Sequence, residues 1–127
     1  MDRHDEYRLS VADVAAHFDL APRTVRVHLK SGALQGVRIN REWRCCWRDV
    51  WAVEQGPRPR GDRAELYRAP LIRKKTLAGK WGVHERTVER WIVDGLPTRN
   101  VFGSVRVASV DADEWTRRRF GIANAAA

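Results

Sequence analysis

Leu20-Ala21-Pro22-Arg23-Thr24-Val25-Arg26-Val27-His28-Leu29-Lys30-Ser31-Gly32 returns 63 residues later as Val83-His84-Glu85-Arg86-Thr87-Val88-Glu89-Arg90-Trp91-Ile92-Val93-Asp94-Gly95. Each copy reads as one short helix with Arg-Thr near its start and glycine at its end. In the first copy Pro22 suits the first helical position, where its missing N–H would have no partner anyway. Val25, His28 and Leu29 share one face at 3.6 residues per turn and are expected to pack inward. Arg23, Arg26, Val27 and Lys30 fall on the opposite side, with Thr24 at the flank. Gly32 supplies the positive φ that closes a helix.

Upstream, Ser10-Val11-Ala12-Asp13 has capping-box character, and Val11, Val14, Ala15 and Phe18 follow helical spacing, so a first helix of two turns precedes an Asp19-Leu20 turn. Downstream the period changes to that of strands. Val37-Arg38-Ile39 and Trp43-Arg44-Cys45 flank Asn40-Arg41-Glu42 as a hairpin, with Ile39 and Cys45 expected toward the core and Arg38 and Arg44 toward solvent. Asp49 to Glu54 then predicts a third helix with Val50 and Val53 inward. Helix, helix, hairpin, helix over residues 7–55 is the order of a winged helix-turn-helix.

Residues 56–69 carry Gly56-Pro57-Arg58-Pro59-Arg60-Gly61 and read as a solvated Pro/Gly/Arg linker, with one helical turn expected within Asp62 to Arg68. Residues 70–120 repeat the first plan. At an offset of 63, Leu9 pairs with Ile72, Val14 with Leu77, Ala15 with Ala78, Phe18 with Trp81 and Leu20 with Val83; after one lost residue, Leu34 pairs with Leu96, Arg44 with Arg106 and Asp49 with Asp111. Keeping apolar class at inward positions is what a structural repeat requires. Val101 and Val105-Arg106-Val107 around Phe102-Gly103-Ser104 give a second hairpin, Ser109 is expected to cap the last helix, and residues 121–127 form a frayed tail. The fold class expected is mainly α with small β-hairpin wings, in two tandem copies.

A formal net charge of +8 favours a polyanionic partner. The charge is uneven: residues 1–56 hold nine Lys/Arg against eight Asp/Glu, residues 57–69 four against two, and residues 70–127 eleven against six. No run approaches the roughly 18 apolar residues of a membrane span. The start, Met1-Asp2-Arg3-His4-Asp5-Glu6, is polar rather than signal-like, so a cytoplasmic location is expected. Adjacent Cys45 and Cys46 point to opposite faces of a strand and read as one buried and one exposed structural thiol. His17, His28 and His84 lack metal spacing, and no acid–base pair, nucleophile constellation or phosphate loop is present, so neither catalysis nor a metal or cofactor is expected. Phe18, Trp81, Trp91 and Trp115 read as core, whereas Trp47 and Trp51, four apart, would form an apolar patch if exposed.

Leu9-Ser10-Val11-Ala12-Asp13-Val14-Ala15, Arg23-Thr24-Val25 through Ser31-Gly32, and Val37-Arg38-Ile39 with Trp43-Arg44 resemble the excisionase-type, MerR-like winged helix-turn-helix family. The second copy is similar through Arg86-Thr87-Val88-Glu89-Arg90-Trp91, Gly95-Leu96-Pro97 and Ser109 to Trp115. Two departures are Ala21 and His84 where the family often has a capping serine, and Arg73 where the first copy has Ser10; each weakens capping by about 1 kcal/mol. The resemblance implies a bacterial, nucleoid-associated protein that binds double-stranded DNA. It implies a recombination directionality factor or a transcription regulator of a phage or mobile element, with an integrase/recombinase or a second copy of itself as possible partners. By position, Arg23, Thr24, Arg26, Val27, Lys30, Arg86, Thr87 and Arg90 would enter major grooves. Arg38, Arg41, Arg44, Arg99 and Arg106 would carry the wings to backbone or minor groove. The rival expectation is a protein-interaction adaptor or packaging subunit that retains the fold and uses Trp47 and Trp51.

Overall fold

A computed structural model of the chain describes residues 6–122; the polar start at Met1 to Asp5 and the tail from Ala123 to Ala127 lie outside them. The order is β1 (Leu9–Ser10), α1 (Val11–Phe18), α2 (Pro22–Ser31), β2 (Val37–Ile39), β3 (Glu42–Cys45), α3 (Trp47–Val53), β4 (Glu54–Gln55), a 3-10 helix (Gly61–Arg68), α4 (Lys74–Trp81), α5 (Glu85–Val93), β5 (Asn100–Val101) and α6 (Ser109–Arg119). The fold is mainly α, with antiparallel sheets β1-β3-β2 and β4-β5.

The helix ends follow from local chemistry. Ser10 Oγ accepts from Asp13 N at 3.1 Å while Asp13 accepts from Ser10 N at 3.0 Å, which satisfies two of the orphan donors of α1. Gly32 closes α2 at φ +86, donating to Leu29 O. Ala21 leaves α2 without a side-chain cap. His84, expected to weaken α5, instead caps it: its Nδ1 accepts from Arg86 N at 3.2 Å. Ser109 does not cap α6, because Ala108 occupies that position and Ser109 Oγ donates to Pro70 O.

The same sequence of contacts occurs twice. Leu20 N donates to Ala15 O and Val83 N to Ala78 O; Val50 N donates to Cys46 O and Ala112 N to Ala108 O. The Leu9↔Cys45 pairing has its counterpart in the Ile72↔Val107 bridge. Both hairpins turn on two residues at positive φ, Asn40 (51°) with Arg41 (70°) and Phe102 (48°) with Gly103 (83°), the pattern whose twist suits tight hairpins.

That two-residue turn corrects the expected register. Counting Glu42 in the turn puts Ile39 and Cys45 on one side. With Ile39 opposite Glu42 and Arg38 opposite Trp43, every side chain of β2 is on the other face. Ile39 is therefore 46% exposed, and Arg38 lies 5.1 Å over the Trp43 ring. Other boundaries move too. Cys46 is buried like Cys45 and precedes α3, which begins at Trp47 rather than Asp49.

One core gathers Val14, Phe18, Val25, Leu29, Leu34, Cys45 and Val50, and it also takes Leu71, Val101 and Ala108 from the second half of the chain. A second holds Leu77, Val88, Trp91, Leu96, Val107 and Ala112, with Trp81 and Trp115 against it. The halves are joined through their sides. Phe102 at the tip of the second hairpin stacks on His28 of α2 (centroids 3.7 Å apart, 8° between planes) and meets Phe18 edge-on. Residues 56–69, expected to be solvated, are tied down. Tyr67 Oη donates to Asp111 at 2.7 Å, Arg63 to Glu114 at 2.9 Å, and Trp51 Nε1 to Tyr67 O at 3.3 Å.

Candidate nucleic-acid interface

On α2 the buried stripe is Val25 and Leu29, and the opposite face exposes Arg23, Arg26, Val27 and Lys30; Thr24 is half-buried at the edge. On α5 the stripe is Val88 and Trp91, and Arg86, Glu89, Arg90 and Val93 are exposed, with Thr87 half-buried. The amphipathic spacing causes this directly, since committing the valines and leucine to the core leaves the arginines no other side. Val27 and Val93 are 56% and 86% exposed, so each face carries one apolar contact point among its cations.

No side chain of Arg23, Arg26, Lys30, Arg86 or Arg90 makes a hydrogen bond or ion pair with a described residue. Elsewhere arginines are engaged: Arg63 with Glu114, Arg73 with Asp19, Arg99 with Glu54 and Arg119 with Asp94. The first hairpin adds Arg38, Arg41 and Arg44. Arg38 is fixed by a 2.8 Å bond to Arg41 O, Arg41 is exposed at the turn, and half-buried Arg44 reaches Glu42 at 3.4 Å.

The second hairpin does not behave like the first. Arg99 and Arg106, expected on a second wing, are 1% and 6% exposed. Arg99 Nε donates to Glu54 Oε1 at 2.6 Å, and its Nη1 donates to Pro57 O. Glu54 Oε2 lies 2.7 Å from His17 Nε2. Arg106 donates to Phe18 O and Asp19 O at 2.9 Å, and Arg73 also reaches Asp19 O, so two cations cover the carbonyl end of α1 where the helix dipole is negative. Burial, with Arg73 nearby, holds the Arg106 guanidinium below the usual arginine range. These two arginines join the halves and are not available to a ligand.

Sequence reasoning missed Glu54 and His17. A signal existed, because Glu54 lies one helical turn after Val50 on the inward stripe, a position where an acid requires a buried partner. That partner is Arg99, 45 residues away and just before β5, and local spacing cannot name it. Trp47 and Trp51 are half-buried, with ring centroids 5.5 Å apart, and do not form an open patch. No helix among the described residues is long and apolar enough to cross a membrane. No protein-family model, curated protein or solved structure matches the chain.

Proposed function

We propose that this chain is a sequence-specific double-stranded DNA-binding protein of the tandem winged helix-turn-helix kind, with α2 and α5 as its recognition helices. The observation that carries this is the set of exposed, unpaired cations on those two helices in a chain whose other arginines are largely engaged. A guanidinium left without an acid keeps its fork for guanine O6/N7 or for phosphate. Only the first hairpin acts as a wing, through Arg38, Arg41 and Arg44. The second has become part of the joint between the halves.

The two helices read different sequences. Equivalent positions hold Arg26 and Glu89, Val27 and Arg90, Lys30 and Val93. Valine suits a thymine methyl and glutamate a cytosine amino group, so the preferred site has two unlike half-sites and is bound by one chain. The resemblance to excisionase-type proteins favours a role as a recombination directionality factor or as a regulator of a phage or mobile element, in a bacterial cytoplasm.

Selection from a random duplex library tests this, with the expected yield a non-palindromic two-part motif. Arg26→Ala and Arg90→Ala should weaken selected sites by about 1–3 kcal/mol and random DNA much less. Arg38→Ala should weaken both. Equal losses on both kinds of DNA for the helix variants would contradict base reading, and no salt-dependent binding would contradict the function.

A further inference from the structure

A cavity of about 860 Å³ opens between α1, α3 and the segment that joins the halves, and no residue of α2 or α5 lines it. Its apolar wall is Trp47 and Trp51, and Arg48, Arg58 and Arg68 stand around it. Arg68 lies 5.8 Å over the Trp47 ring and pairs with exposed Glu65 at 3.5 Å, outside the cavity lining. The two acids at the rim are occupied: Asp13 caps α1, and Glu6 pairs with Arg48 at 3.3 Å. Arg58 makes no ion pair with a described residue. His17 also lines the cavity, its ring held in place by the 2.7 Å contact of Nε2 with Glu54.

We propose that this cavity is a binding site for a small planar aromatic anion, a ring bearing a carboxylate or phosphate. The volume is that of a small-molecule site. Indole faces supply the apolar area, and surplus guanidinium groups select negative over positive charge. Trp47 and Trp51 belong to α3, while Arg58 and Arg68 belong to the segment after it, so a ligand here bridges the first half and the joint. The site does not depend on the DNA-binding role, because neither α2 nor α5 contributes to it.

Titration calorimetry on the full chain with 2-naphthoate, and with 2-naphthylmethylammonium as the matched cation, tests the assignment. One saturable site is expected, with the anion bound about tenfold or more tighter than the cation. Arg58→Ala and Arg68→Ala, both at exposed positions, should each weaken the anion several-fold and leave the unfolding temperature of the free protein unchanged. Arg86→Ala on α5 should bind like the parent. Absence of saturable binding, equal affinity for anion and cation, or an equal loss in Arg86→Ala would overturn the proposal.

Discussion

Arg38 and Arg99 are both wing candidates by position and meet opposite fates, and what differs is the neighbour each finds. Arg38 lies over an indole at the surface, whereas Arg99 is enclosed with Glu54 and His17. Removing one member of such a buried pair leaves the other charge uncompensated, so Glu54→Ala should lower stability by about 3–5 kcal/mol in urea unfolding. Replacing Glu54 and Arg99 together by apolar residues of similar volume should recover much of that loss. Cys45 offers a second test at this scale. Burial, with Asp49 nearby, pushes its thiol from 9.0 up to about 11. The folded value exceeds the unfolded one, so this contribution to stability is intact below pH 9 and is lost as the pH rises toward 11. Ellman's reagent at pH 8 should label native protein far more slowly than urea-unfolded protein, and fast labelling of both thiols would contradict their burial.

Among the elements, helices were legible from the chain and hairpin geometry was not. Val14, Phe18, Val25 and Leu29 recur at helical spacing, and the core took all four. The repeat was equally legible, because Val88 and Leu77 kept apolar class where Val25 and Val14 stood. For β2–β3, turns of two and three residues were both compatible with Asn40-Arg41-Glu42, and the choice between them decides which side Ile39 occupies. The role of the second hairpin was illegible for a different reason: the carbonyls and carboxylate that hold Arg106 and Arg99 come from the other half of the chain. Arg41 gives a prediction here. A left-handed conformation costs an L-residue about 1–2 kcal/mol, and Arg41 adopts one at φ +70 with its side chain exposed. Arg41→Gly should therefore raise stability by about 1 kcal/mol while weakening DNA and lowering its salt slope by about 1. A stabilised variant with unchanged DNA affinity would remove Arg41 from the wing.

For the molecule as a whole, the joint decides more than either half. The first core draws Leu71, Val101 and Ala108 from beyond the linking segment, so residues 1–56 alone should lack a cooperative thermal transition. The complete chain should unfold in a single step by calorimetry. Strand pairing, buried ions and the Tyr67–Asp111 bond also set the separation of α2 and α5, in place of a loose tether. Inserting about half a helical turn of DNA between the two half-sites should then abolish the gain from linkage rather than erode it gradually.

Stacking of Phe102 on His28 also decides whether one half could stand in for the other. Identical units would be interchangeable, and this ring pair denies the two halves that equality: only the later half has the aromatic tip, and only the earlier one has the surface that receives it. A gene carrying the first copy twice would place Asn40 and Arg41 where Phe102 and Gly103 now sit. Its product would have no plug for its own socket, so the two halves are complementary pieces of one object.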